Sequence, residues 1–402
     1  AAPAASRGRH FHVHQVLRSH MAAWGPRMRK EVEEVASRRG LQLPPRPLLV
    51  GTDCSGLDAP VFALRALQLP RGFQHVFCCD VDAKKRKFLQ ANSPSAQVYN
   101  DMLRRDHSQL PEHDLYVVGF PCKPFSRLHV GTQGFKERAA RPFQAVLKTL
   151  REKKPLIAVL ENVSGLRTYL ERIHRESYKL GWYEVLTIEV DPWDMGEPVR
   201  RRRFYFLLVR TDVAVAKGTV LDDHVRALLS VGMSRTRATP AERLLRNDSP
   251  HVTAHQRRAT ARFFTHRTKH IAAQDQQKWR KAHRGHSISR LHTPVIGLSQ
   301  RSEEVLGIKL AEAGLCDLSS QTNVDVSQSL SFSRFTEYIP TITPGSNIVI
   351  GQLRRLVVPI EKCVLNAVPV HEAIWPTEEE FSDTDIADLG GNTMHLMAVA
   401  KA

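Results

Sequence analysis

The stretch PLLVGTDCSGLDAPVFALRALQL, from Pro47 to Leu69, carries an apolar run into a turn of small and acidic residues and out into a helical pattern. PLLVGTDCSG predicts a buried strand running into a turn, and PVFALRALQL the following helix, with Pro60 in its first turn. The same alternation repeats downstream. HVFCCDVD is a second apolar run that ends in acids and leads into helical AKKRKFLQAN; DLYVVGFP is a strand, PFQAVLKTLREKK a helix and PLIAVLENV a strand, and YEVLTIEVDP and RFYFLLVR complete the series. Strands alternating with helices imply an α/β chain with a doubly wound, mostly parallel sheet. Ligands of such sheets bind beyond the carboxyl ends of the strands. Residues Cys54 to Gly56, Asp80, Cys122 and Glu161 each fall at or just past a strand end, so four chemically useful groups converge on one edge.

The 402 residues include 58 Lys and Arg against 41 Asp and Glu, a formal charge of +17, which favours a polyanionic partner. The charge is concentrated. Between His224 and Arg290 stand 15 basic residues and only Glu242, Asp248 and Asp275. No run of eighteen apolar residues exists, which excludes a membrane-spanning helix. The six cysteines form no CxxC pair and no zinc-like spacing with histidine, which fits a reduced intracellular compartment and predicts no metal site. Up to Lys30 the chain has six basic residues, no acid and no initiator Met. An organellar transit segment removed in processing and a start inside a longer reading frame both account for this.

Cys122 lies between Pro121 and Pro124 in VVGFPCKPFS, directly after a strand pattern. Together with LENVSGL around Glu161 and RRRRF from Arg200 to Phe204, this loop resembles the Pro-Cys, Glu-Asn-Val and arginine motifs of the S-adenosylmethionine-dependent cytosine-carbon-5 DNA methyltransferases. TDCSG, CDVD, YNDM, PTIT, RRLVVPIEKC and GNTM match further elements of that family in the same order, over about Leu48 to Lys401.

The resemblance implies a Rossmann-like catalytic domain with a smaller target-recognition domain. It makes Cys122 the nucleophile that bonds carbon 6 of cytosine, and Glu161 the partner of ring nitrogen 3 and the exocyclic amine. Of the paired Arg201 and Arg203, the second holds the base and the cysteine loop. On the cofactor side it implies S-adenosylmethionine, bound by Cys54, Ser55, Gly56 and Leu57 at the first turn. Asp80 would take the ribose hydroxyls and Asp101 the adenine amine, with Asn392 and Thr393 closing the site.

The chain departs from the family where Asp58 and Ala59 replace a glycine pair and Val199 replaces a glutamine. The expected organisation is an N-terminal helical extension over 1–46 and a catalytic and cofactor-binding domain over 47–210. A basic target-recognition domain over 211–335 and a return to the catalytic domain over 336–402 follow. The partner expected is DNA, with the nucleus as the location in a eukaryote. An RNA methyltransferase is one alternative, and an inactive nucleic-acid-binding relative, suggested by the three departures, is the other.

Overall fold

In the computed structural model the described residues are 9–38, 46–126, 134–214, 223, 227–228, 230–234, 236–266 and 283–402. Seven strands form the main sheet: β1 (Leu48–Asp53), β2 (Phe73–Cys79), β3 (Gln97–Tyr99), β4 (Leu115–Gly119), β5 (Ile157–Val163), β6 (Tyr183–Val190) and β7 (Arg203–Arg210). Their order is β3-β2-β1-β4-β5-β7-β6. Neighbours from β3 to β5 are parallel, and β7 runs antiparallel to both β5 and β6. The order reverses between β1 and β4, and an open sheet has its ligand crevice at such a reversal, beyond the strand ends.

Two-residue periodicity sends alternate side chains into cores on opposite faces. Val117, Val159, Tyr205 and Leu207 enter one core; Tyr116, Val118, Ala158, Leu160, Phe206 and Leu208 enter the other. Helix α1 (Gln15–Arg38), α2 (Ala59–Leu67) and α3 (Ala83–Asn92) contribute to the first, while α4 (Pro142–Lys153) and α5 (Leu170–Tyr178) contribute to the second. In α4 the buried Phe143, Val146, Leu147 and Leu150 recur at helical spacing, and Lys154, in the left-handed region at φ 48°, ends the helix. Asp82 starts α3 by accepting the Lys84 and Lys85 N–H groups.

The N-terminal helix packs into this core. Leu17, Met21, Trp24 and Met28 are buried among side chains of α2 and the C-terminal segment, each such burial contributing about 1.5–3 kcal/mol. Gly25 permits the contact, since a Cβ there would stand 2.0 Å from the Ala66 carbonyl oxygen at the end of α2.

Beyond β7, a small antiparallel sheet of β8 (Val324–Asp325), β9 (Ile348–Ile350) and β10 (Arg355–Leu356) packs with helix Gln300–Glu312 around a separate apolar cluster. Of the basic segment, His224, Arg226, Arg235 and residues 267–282 lie outside the described residues. Helices Asp383–Asn392 and Leu396–Lys401 return to the first core, where Leu389, Leu396 and Met397 are buried. No helix among the described residues is long and apolar enough to cross a membrane.

Candidate active site

Cys122 caps a short 3-10 turn, Lys123–Phe125, just past β4, and its carbonyl accepts the Phe125 N–H at 2.9 Å. Pro124 in the turn fixes the backbone there. Asn162 anchors the approach to this loop from the neighbouring strand, donating from Nδ2 to the Phe120 carbonyl at 3.1 Å. Cys122 is exposed as a residue. Protein around its sulfur, and next the Glu161 carboxylate, push its thiol above the ordinary value, while Arg203 and Arg201 pull the other way.

Glu161 projects from β5 opposite Gly119 of β4. A Cβ on Gly119 would stand 2.7 Å from the Met394 methyl and 3.3 Å from Glu161 Oε2, so the glycine leaves the carboxylate its space. Arg203 opens β7 and places Nε 3.1 Å from Glu161 Oε1, with both side chains 12% exposed. Burial raises the Glu161 carboxyl, and the two arginines only partly offset it. The directly opposed Tyr205 has a buried hydroxyl with no hydrogen-bond partner.

Arg201 is turned away from this pair and fully buried. It donates from Nη1 to Ile342 O at 2.7 Å and from Nη2 to Thr393 O at 2.6 Å and Gly391 O at 3.3 Å. Burial, then Arg203, pushes its guanidinium down to about 9. Its bonds tie the TITPG loop and the GNT turn to the start of β7. Arg201 therefore positions the backbone, while Arg203 faces the carboxylate.

The other half of the edge lies over β1 and β2. The Gly56 N–H donates to Asp80 Oδ2 at 3.0 Å, and the Asp82 N–H donates to Asp80 Oδ1 at 2.9 Å. Burial raises the Asp80 carboxyl despite these bonds. Gly56 has φ 55°, and a Cβ there would meet nothing within 4 Å, so the space above the turn is open. Cys54, at φ 50°, directs its sulfur to Met102 Sδ at 3.7 Å, and Leu57 is fully buried. Ser55 uses its hydroxyl on Thr52 Oγ1 at 2.9 Å and on the backbone of Cys79, locking β1 to β2. Only the backbone of these three residues is left to face a ligand.

Asp101 follows β3, accepts the Leu103 N–H at 2.8 Å and lies 3.4 Å from Arg104 Nε. Thr393 is buried with its hydroxyl unpartnered, whereas Asn392 is exposed and gives its amide to Asp388 at 2.8 Å on its own helix. Asn162, Gly119 and Met394 were not singled out from the sequence. Asn162 had a signal, since it follows Glu161 in LENV. The apolar Val81 and Leu103, 72% and 49% exposed beside the two acids, had none.

The departures are accommodated. Asp58 takes up the left-handed conformation, φ 66°, that a glycine would adopt freely, and its carboxylate points beneath the turn to within 3.5 Å of His75 Nδ1. Val199 is completely buried against Ile339 and Ile342.

The basic segment is partly engaged within the protein. Arg258 reaches Asp383 at 2.9 Å, and Arg243 pairs with buried Glu197 at 3.2 Å.

A family model described as C-5 cytosine-specific DNA methylase matches residues 54–349. Type II methyltransferase M.NgoBI of Neisseria gonorrhoeae is 32% identical over 140 residues, 34% of this chain and 44% of that protein. M1.ScrFI of Lactococcus lactis subsp. cremoris is 31% identical over 138 residues, 33% of this chain and 34% of that protein. The matched stretch thus spans less than half the length of these relatives. Among solved structures, S. pombe Dnmt2 methyltransferase superposes with a TM-score of 0.50 at 15% identity, covering 88% of this chain and 96% of that one. Entamoeba histolytica methyltransferase EhMeth gives 0.52 at 12%, covering 89% and 96%. These likenesses show a shared Rossmann-like fold.

Proposed function

The chain belongs to the C-5 cytosine-specific DNA methylase family, and from that premise we propose that it transfers a methyl group from S-adenosylmethionine to carbon 5 of cytosine in DNA. The observation that carries the proposal is the arrangement at one sheet edge: an accessible thiol on a proline-braced turn beside a carboxyl and guanidinium pair. Open backbone above Gly56, the buried Asp80 carboxylate and the exposed Val81 and Leu103 fit the amino-acid, ribose and adenine parts of the cofactor. Bound there, S-adenosylmethionine supplies an electrophilic methyl group on a positively charged sulfur.

Carbon 5 of cytosine is a poor nucleophile, and adding a thiolate at carbon 6 makes it one. The target base leaves the duplex to reach Cys122. The Cys122 thiolate forms a bond to carbon 6 and pushes an electron pair towards carbon 5. Glu161, whose carboxyl burial raises, hydrogen-bonds ring nitrogen 3 through a shared proton and accepts from the exocyclic amine. Arg203 holds Glu161 in place. Carbon 5 would take the methyl group with that electron pair while the cofactor's sulfur keeps the pair of the broken C–S bond, and loss of the carbon-5 proton to a base and departure of the thiolate would then restore the ring.

The test is methyl transfer from tritiated cofactor, with adduct trapping on duplex DNA carrying 5-fluorocytosine, whose fluorine blocks the final elimination. Wild-type protein should give a covalent adduct and Cys122→Ser none, with product-cofactor binding retained by both. Turnover by the serine variant at the wild-type rate would overturn the proposal.

A further inference from the structure

We infer that Arg200, Arg202 and Arg237 form a preorganised phosphate clamp at the rim of the cytosine site. This rests on the DNA reading above and specifies where the strand carrying the target base is gripped. The four consecutive arginines split by alternation. Arg201 and Arg203 turn inward, whereas the side chains of Arg200 and Arg202 are 36% and 51% exposed. They lie in the segment entering β7, at the end of the sheet where Arg203 meets Glu161, so their guanidiniums border the same edge.

Both share one buried carboxylate. Asp191 Oδ2 lies 3.6 Å from Arg200 Nη1 and 3.8 Å from Arg202 Nε, and Asp191 also fixes the backbone by accepting the Arg201 N–H at 3.0 Å. Trp193 organises the rest. The Arg200 guanidinium lies 4.8 Å and that of exposed Arg237 4.4 Å from its ring centroid. Tyr338 packs edge-on to the same indole at 5.6 Å, and Arg200 is 5.3 Å from the Tyr338 ring. Arg237 Nε donates to the Trp193 carbonyl at 3.3 Å.

Three guanidiniums with one carboxylate between them keep a net positive charge, and stacking on aromatic rings removes much of the side-chain freedom that phosphate binding would otherwise cost. The cluster joins β7, the Tyr338 segment and the polypeptide around Arg237, so a strand gripped here bridges both parts of the molecule. Arg258 and Arg243, by contrast, sit closer to their carboxylate partners, at 2.9 Å and 3.2 Å, than Arg200 and Arg202 do to Asp191. A backbone contact of this kind positions the duplex and carries no sequence preference.

The experiment measures the dissociation constant of a fluorescent duplex across a salt series, for wild type, for Arg202→Gln with Arg237→Gln, and for Arg202→Lys with Arg237→Lys. Both sites are exposed, and product-cofactor titration monitors the fold. The glutamine pair should flatten the log-log slope by about 1.8, at about 0.9 per phosphate, and the lysine pair should keep it. An unchanged slope in the glutamine pair, equal flattening in the lysine pair, or lost cofactor binding would each overturn the clamp. Flattening confined to an RNA stem would overturn its assignment to DNA. Adduct formation on 5-fluorocytosine by the wild type reads the cytosine chemistry separately, so the clamp can fail while that chemistry stands, and the reverse.

Discussion

Arg203 holds Glu161 across the antiparallel pair of β7 and β5, Nε to Oε1 at 3.1 Å, and both groups act on the Cys122 thiol with opposite sign. Glu161→Gln removes the negative charge that raises the thiol, so the pH midpoint for alkylation of Cys122 by iodoacetamide should move down. Arg203→Gln should move it up. Methyl transfer by Glu161→Gln should nevertheless fall by about 10²–10⁴-fold, the usual scale for losing a positioned acid or base. A more reactive cysteine in a slower enzyme is the signature. Parallel loss of both would mean that Glu161 only supports the loop.

Acid should expose a second carboxylate. Burial alone would raise Glu197, but His20, at 2.9 Å, and then Arg243 bring it down to about 2, against an ordinary 4.5. Its stabilisation is therefore complete above about pH 4.5 and is lost as pH falls through about 2. Urea titrations should show this loss in the wild type. In Glu197→Gln the glutamine cannot follow it, and at neutral pH the variant should be less stable by about 3–5 kcal/mol, because Arg243 is left without its buried partner.

Gly25→Ala tests the seat of the N-terminal helix. Helix propensity favours alanine by about 1 kcal/mol, but its Cβ would fall 2.0 Å from Ala66 O and 2.4 Å from Ala66 C, both backbone atoms. Overpacking costs about 1–3 kcal/mol, and rigid backbone on the receiving side puts this site at the upper end. Net destabilisation in urea is expected, and a stabilised variant would show that α1 is free to lift off α2.

Asp80→Ala should weaken binding of S-adenosylhomocysteine by about 1–3 kcal/mol in calorimetric titration, since the ligand hydroxyls lose their acceptor and the Gly56 N–H its partner. Unchanged affinity would place the ribose elsewhere.

The β1–turn–α2 unit and the groups at the strand ends were legible because their signals are local: an apolar run, a Gly or Pro at the break and an acid or thiol immediately after. Cys122, Glu161 and Asp80 are found this way. Arg201 shows the limit. RRRRF reads the same whichever arginine turns inward, and the acceptors that decide it, Ile342 O and Thr393 O, lie 141 and 192 residues away. The docking of α1 depends likewise on one glycine meeting α2, which helix periodicity does not encode. The concentration of charge between His224 and Arg290 says just as little about which arginines are taken up inside the fold: Arg258 meets Asp383, 125 residues on, at 2.9 Å.

The bonds of Arg201 also set a timetable for the chain as it is made. Synthesis delivers Arg201 long before Thr393, and a guanidinium enclosed without acceptors is costly. Until residue 393 has left the ribosome, the start of β7 lacks the carbonyls that hold it, and Arg203 has no fixed frame from which to meet Glu161. Residues 48–210 can form their sheet early, as local strand–helix units do, yet the reactive edge waits for a closure spanning nearly two hundred residues. A nascent chain therefore carries Cys122 through the synthesis of about 270 further residues before the carbonyl of Thr393 is there to fix the edge beside it.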